Sequence, residues 1–202
     1  AESVVLGIPD GALEPTLENR AKMIRLVREV RPDVVITNRP NDYHPDHRYM
    51  SLLVQDSAYM FMVPHVVEEV EPLHYNPIIF YWADAFTYPR PFAPAVAIDI
   101  DPVIGDKLEM LEKHESQLFE WLPWIERYPE PVPEERSERM RWLERYYKHR
   151  FIPTIAERYR ELLLERYGEK HGNAVVEAEA FEPCEYGTRP NREQLAEVFA
   201  GL

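Results

Sequence analysis

The chain has 202 residues, of which 45% are hydrophobic, 29% charged and 12% aromatic. This is a globular composition with enough apolar material for a core, and it excludes a disordered, collagen-like or disulfide-stapled chain. Asp and Glu number 36 against 23 Lys and Arg, a formal net charge of −13, so the surface repels phosphate backbones and no nucleic-acid partner is expected. Cys184 is the single cysteine and no Asn-x-Ser/Thr sequon occurs, which makes a reducing cytoplasm the expected compartment. The longest apolar runs, 59–67 and 77–83, are too short for a membrane span. The sequence opens on Ala1-Glu2-Ser3, without an initiator Met, and enters Val4-Val5-Leu6 at once, as if in mid-fold.

In chain order, Val4 to Ile8 reads as a short buried strand, closed by the turn residues Pro9-Asp10-Gly11. From about Thr16 to Val30 the apolar positions Leu17, Met23, Ile24, Leu26, Val27 and Val30 fall at helical spacing, with acidic Glu18 in the first turn. Pro32-Asp33 breaks that helix and Val34-Val35-Ile36-Thr37 forms a second buried strand. Strand, helix and strand in this order have the size of a βαβ unit and predict a parallel α/β sheet. Pro45 opens the next helix, which continues through Tyr49, Leu52, Leu53 and Tyr59 toward Val63. A proline-rich stretch then holds two strand-like runs, Ile78 to Trp82 and Ala95 to Ile100. Asp101-Pro102 starts a helix toward Phe119, before the Trp/Pro-rich Trp121-Leu122-Pro123-Trp124. Arg136 to Tyr167 predicts two helices or one kinked at Pro153, and Ala174 to Phe181 a last strand.

The best motif is His44-Pro45-Asp46-His47. It follows the C-terminal end of a predicted parallel strand and opens a helix, which is where open α/β sheets bind ligands. Two imidazoles three residues apart lean toward one side of the helix, with Pro45 restraining the turn between them. Asp46 is placed to take an imidazole N–H and fix its tautomer. Taken alone, the motif also reads as a surface histidine pair beside an ordinary first-turn carboxylate, because zinc takes about three or four protein ligands and this segment supplies at most two.

The wider pattern supplies context. Leu6-Gly7-Ile8-Pro9-Asp10-Gly11, Arg31-Pro32-Asp33-Val34-Val35, His44-Pro45-Asp46-His47, Lys107 with His114-Glu115-Ser116-Gln117, and Ala178-Glu179-Ala180-Phe181 follow one another from the first strand to the last. In order and rough spacing they resemble the signatures of the PIG-L/LmbE-like family, zinc-dependent de-N-acetylases of which many act on N-acetylglucosamine-containing substrates. The resemblance implies a single α/β, Rossmann-like three-layer domain over 1–202, with a mainly parallel sheet and a helical Trp/Pro-rich insertion at 121–170. It also implies that the family's first strand and helix are missing from this chain.

Carried over residue by residue, the resemblance implies that His47 is a zinc ligand and that His44 stabilises the oxyanion and protonates the leaving amine, with Asp46 orienting His44. The family's other two ligands and its Asp general base lie in an Ala-His-Pro-Asp-Asp block that these 202 residues do not contain; His65 and His74 are no substitute in sequence. The expected activity is therefore zinc-dependent hydrolysis of the N-acetyl amide of an N-acetylated sugar or glycoconjugate, with the rest of the site supplied by a partner chain or a missing N-terminal segment. The alternative is a non-catalytic carbohydrate-binding or interaction module of the same fold. A third reading has His44 and His47 recruit Asp84 or Asp42 into a metal site.

Other residues carry weaker arguments. His114, Ser116 and Gln117 match the family's block on the substrate side, and at helical spacing they equally suit buried backbone groups. Asp84 ends a predicted strand and lines the same crevice, or else caps a helix or lies exposed. Trp121 and Trp124 read as core plugs, with a sugar-stacking role as the sharper alternative. Glu134 to Arg150 is a solvated helix face, and Cys184 beside Pro183 is inert.

Overall fold

The computed structural model describes residues 1–151 and 155–200. They form two compact units, Ala1–Val96 with the C-terminal residues from Ala180, and Ala97–Glu179.

In the first unit, helix α1 (Leu17–Val30) begins where the Thr16 side chain accepts the Asn19 N–H at 3.2 Å, as an N-cap should. It ends at Arg31, which turns left-handed and donates its N–H to the Val27 carbonyl. Met23, Ile24 and Val27 are its buried face. The β-branched run Val34–Thr37 is strand β1. Helix α2 (Pro45–Ala58) follows, and strand β2 (Ile78–Trp82) lies parallel to β1 with Val34 opposite Ile78 and Thr37 opposite Tyr81. The strand–helix–strand unit is thus present one element later than the sequence predicts.

The strand predicted at Val4 to Ile8 does not form. β1 is the terminal strand of the sheet and bonds only β2, so this run has no ladder partner, and Val5 stands 88% exposed. Strand β3 (Val96–Asp99) falls within the predicted run, and strand β4 (Ala178–Pro183) starts four residues later than predicted because Ala174 still belongs to a helix. The strand order is β1-β2-β4-β3, with β4 antiparallel to β2, Phe80 facing Pro183 and Trp82 facing Phe181. The sheet is therefore mixed, with flanking helices.

Beyond α2 the chain tightens into a short 3-10 turn, Met60–Met62, in place of the continued helix predicted there. This segment is tied to α1 by Arg28, which is 1% exposed. Its guanidinium donates to the carbonyls of Met60, Phe61, Val63, Val66, Val67 and Val70. A buried cation is thereby hydrogen-bonded by backbone oxygens, with the Glu69 carboxylate near enough to act on its charge.

In the second unit the helix predicted from Asp101 to Phe119 divides. Helix α3 (Ile104–Glu112) ends as the N–H groups of Lys113 and His114 turn onto the carbonyls of Met110 and Leu111, at 3.1 and 3.0 Å. A wide π turn, Ser116–Trp121, leads into helix α4 (Leu122–Glu126). Helices α5 (Arg136–Phe151), α6 (Ile155–Arg158) and α7 (Arg160–Ala174) follow. Pro153, the predicted kink, lies outside the described residues. Inside α7 the helical path is interrupted at Gly168, whose φ of 78° suits a residue without Cβ. The core joins Leu108, Leu118, Phe119, Trp142, Leu143, Tyr146 and Tyr147, with Trp142 stacked on Tyr146 at 4.9 Å. Helix α8 (Arg192–Val198), capped by Asn191, returns the chain to the first unit, where Phe199 stacks on Phe181.

Candidate active site

The site is built where β1 ends and α2 begins. Asp42 organises the connection: its Oδ1 accepts the His44 N–H at 3.0 Å, an Asx turn, and lies 3.1 Å from His47 Nδ1. Its backbone carbonyl accepts from Arg48 at 2.6 Å. His44 is the N-cap of α2, and its Nδ1 accepts the Asp46 N–H at 3.3 Å. Pro45 at the first helical position has no N–H to satisfy. The two imidazole centroids lie 4.9 Å apart, as the spacing of the motif predicts. Tyr43 meets both rings edge-on at 5.8 and 5.7 Å and lies 6.4 Å from Phe86.

These contacts suit opposite tautomers in the two neutral rings. In neutral His44 the lone pair of Nδ1 is taken by the Asp46 amide, which leaves the proton on Nε2, 3.9 Å from Asp10 Oδ1. In neutral His47 an Nδ1–H donated to the Asp42 carboxylate leaves the lone pair on Nε2.

The sequence predicts that Asp46 orients His44 through its carboxylate, whereas the orienting group is its backbone N–H. The carboxylate instead accepts the N–H groups of Gly11 at 2.7 Å and Leu13 at 3.2 Å. It thereby pins the Pro9–Ala12 turn, closed by Ala12 N–H to Pro9 carbonyl at 3.1 Å with Gly11 at φ 78°. The turn carries Asp10 to 3.9 Å from His44 Nε2.

Asp84, beyond the end of β2, is joined to this corner through Arg39 rather than open to a ligand. Arg39, buried after β1, donates to Asp84 Oδ1 at 2.8 Å and to the carbonyls of Phe86 and Arg90 at 3.2 and 2.7 Å. Its Nε lies 4.0 Å from Glu182, which also binds Arg90 and the Ala93 N–H. Burial pushes the Asp84 carboxyl above its ordinary range, outweighing the Phe86 N–H and Arg39, and the charge of Asp42 adds to the rise. Arg39 carries no sequence signal that singles it out. Sequence reasoning places Asp42 only as a metal ligand, although an Asp two residues before a helix-capping His is the pattern of an Asx turn.

Lys107, His114 to Gln117 and Glu179 of the remaining blocks lie in the second unit. Lys107 and Glu179 meet each other, Nζ to Oε1 at 2.6 Å. Burial works against the Lys107 charge, but the hydrogen bond and charge of Glu179 outweigh it and raise its pKa. The pair therefore accounts for two of the quoted blocks as a structural contact. His114 sits at an exposed turn, its carbonyl accepting the N–H groups of Gln117 and Leu118 at 3.1 and 2.8 Å.

Among the described residues, Asp10, His44 and Asp46 form the group whose potential ligand atoms fall within 4.8 Å of one another. It does not fit a zinc set: both Asp46 oxygens are bonded to amides, neutral His44 has its proton on Nε2, and the Asp10 side chain is 95% exposed. His47 lies outside this group, its Nδ1 3.1 Å from Asp42 Oδ1. Neither Asp42 nor Asp84 completes a set with it, the one being engaged on His47 Nδ1 and the other on Arg39.

Comparison with known proteins bears on the same region. Residues 1–58, which include the whole His44–His47 corner, match the family model described as PIG-L: GlcNAc-PI de-N-acetylase. Among solved structures the chain is similar to the conserved protein TT1542 from Thermus thermophilus, at 20% identity and a TM-score of 0.52 over 92% of this chain and 66% of that one. It is also similar to N,N'-diacetylchitobiose deacetylase from Pyrococcus horikoshii, at 20% identity and a TM-score of 0.57 over 91% of this chain and 58% of that one. GalB, the 4-carboxy-2-hydroxymuconate hydratase from Pseudomonas putida KT2440, matches at 13% identity and a TM-score of 0.52 over 87% and 62%. The family match therefore covers the first 58 residues, and the similarity of fold to these solved structures extends over most of the chain. The chain spans 58% to 66% of the length of the structures it matches. Since a deacetylase and a hydratase share the fold, the site rather than the architecture must argue the chemistry. No helix among the described residues is long and apolar enough to cross a membrane.

Proposed function

We propose that this chain provides the acid side of a zinc-dependent deacetylase acting on the N-acetyl amide of an N-acetylglucosamine-containing substrate. The observation that carries this reading is the pair of contacts on the two rings, the Asp46 N–H on His44 Nδ1 and the Asp42 carboxylate 3.1 Å from His47 Nδ1, which suit opposite tautomers. An amide is a poor electrophile with a poor leaving group, so its hydrolysis calls for a donor to the carbonyl oxygen, a proton for the departing nitrogen and an activated water. His44 Nε2–H serves the first two, and its N-cap bond to Asp46 keeps that proton on Nε2. His47 Nε2 serves as one ligand of a zinc ion, which when bound supplies a Lewis acid and an activated water. The remaining ligands and the general base come from a polypeptide segment outside these 202 residues, on the same chain or on a partner. The incomplete donor set is the observation that favours the other reading, a binding module without catalysis.

The test is to assay acetate release from N-acetylglucosamine derivatives with zinc, for this chain alone and for the chain joined to a segment bearing Ala-His-Pro-Asp-Asp. The joined protein should be active and the isolated chain silent. His47→Ala should lose metal and activity together, whereas His44→Ala should keep the metal and lower turnover by about 10²–10⁴-fold. A joined protein that holds zinc yet cleaves no N-acetyl sugar would establish the binding module, and a fully active His44→Ala variant would remove His44 from the chemistry.

A further inference from the structure

In the second unit the π turn and α4 expose a face that amphipathic logic leaves unexplained. Leu118, Phe119 and Pro123 point into the core, while Gln117, Glu120, Trp121 and Trp124 recur at i, i+3, i+4 and i+7 on the other side. A solvent face should carry short polar or charged groups. This one carries two indoles, 51% and 70% exposed, so the core-plug reading of Trp121 and Trp124 is incorrect. Their rings lie 5.7 Å apart and tilted by 34°. With Ser116, Gln117 and Glu120 they line an open depression of about 470 Å³.

We propose that this depression binds an uncharged oligosaccharide, one pyranose ring laid across the two indoles. The apolar C–H face of a pyranose matches an indole face, and its hydroxyls need both donors and acceptors at the ring edge. Both kinds are present: two indole N–H groups, the Gln117 carboxamide, the Ser116 hydroxyl and the Glu120 carboxylate. None of these side chains makes a hydrogen bond among the described residues. Glu120 also sets the charge preference, since a uronic acid would bring a second carboxylate against it. π turns are rare and concentrate at functional sites, and Gln117 and Trp121 both belong to this one. The tilted, open arrangement differs from the closed aromatic box that takes a quaternary ammonium. The site uses residues of the second unit alone and stands or falls separately from the metal chemistry assigned to His44 and His47.

The experiment is a titration of the intact chain with N,N',N''-triacetylchitotriose, followed by the indole N–H resonances, with the Trp121 and Trp124 signals assigned by Trp→Phe variants. Two signals should shift together with a Kd on the order of 1 mM, typical of a shallow site. Trp124→Ala should weaken binding by about tenfold or more and Gln117→Ala by a smaller factor, while His47→Ala leaves it unchanged. Both substituted side chains are exposed, so these variants should keep the circular dichroism spectrum of the parent. An oligouronate of equal length should not bind. The proposal is overturned if neither signal moves, if the oligouronate or choline binds as well as the chitotriose, or if sedimentation shows the indoles buried in a self-association that Trp124→Ala abolishes.

Discussion

Two ion-paired carboxylates, Asp84 in the first unit and Glu112 in the second, are held in opposite electrostatic states. In the first, Asp84 shares Arg39 with two backbone carbonyls and with Glu182, and lies close enough to Asp42 to feel its charge; its carboxyl is pushed up. In the second, Glu112 receives Nε and Nη2 of Arg136, both at 2.7 Å, with Lys113 alongside, and falls to about 2. One carboxylate has a cation divided among several acceptors, the other a cation largely to itself. Burial of Asp84, which its share of Arg39 does not offset, leaves an electrostatic cost beside the histidine pair, whereas the Glu112–Arg136 pair is a structural fastening between α3 and α5. Electrostatic cost of this kind tends to gather at sites that do chemistry, where charge is positioned rather than merely neutralised.

The sharpest way to break this comparison is Arg39→Met. Removing the cation leaves Asp84 and Glu182 without their shared partner in a buried corner, and a loss of about 3–5 kcal/mol in chemical denaturation is expected. Adding Asp84→Asn and Glu182→Gln to that variant should recover part of the loss. If the triple variant is no more stable than Arg39→Met, the corner is held by packing and not by its charges.

A smaller effect is expected at Asp42, one step nearer the histidines. With the chain joined to a segment that completes the zinc site, Asp42→Ala should weaken zinc by about 10–100-fold in competition with a chelator, because His47 loses the carboxylate that fixes its tautomer. Asp42→Asn retains an acceptor oxygen and should fall between the two. Unchanged zinc affinity in Asp42→Ala would mean that His47 is not oriented through Nδ1, or is not a ligand.

How much of this the sequence discloses depends on whether the interaction is local. α1, β1, the start of α2 and β2 are legible because caps, β-branched runs and Pro45 act within a few residues. The His44–His47 pairing is legible for the same reason. Val4 to Ile8 fails because a strand needs a neighbour, and its apolar run says nothing about whether β1 offers an edge to it. Asp46 illustrates the limit most clearly: in sequence its carboxylate reads as serving its neighbour His44, yet it serves amides more than thirty residues away, on Gly11 and Leu13. Arg39 joins β1 to the segment after β2, a contact with no local pattern. Trp121 and Trp124 are misplaced by sequence because composition favours burying tryptophan, and only the packing of Leu118 and Phe119 shows which face of the turn is inward.

The smallest predicted effect is also the most direct comparison of the two carboxylates, because their pKa shifts have opposite signs. Glu112 has an ordinary value of 4.5 and a folded value of about 2, so the native state binds fewer protons than the unfolded chain between these values. The stability that its pair with Arg136 contributes is complete above 4.5 and is lost as the pH falls toward 2. Asp84 behaves inversely: its folded carboxyl takes up a proton before the unfolded one does, so its charged form costs stability near neutrality and the cost disappears on acidification. Thermal melts of Arg136→Ala and Asp84→Asn against the parent, at steps from about pH 7 to about pH 3, should therefore give difference curves of opposite slope. The deficit of Arg136→Ala should shrink as the pH falls, whereas Asp84→Asn should lose ground against the parent over the same range. Parallel slopes would show that the Asp84 carboxyl is held down by Arg39 as firmly as Glu112 is by Arg136, and the contrast between the two units would then reduce to a difference in exposure of the arginine, buried in one and on the surface in the other.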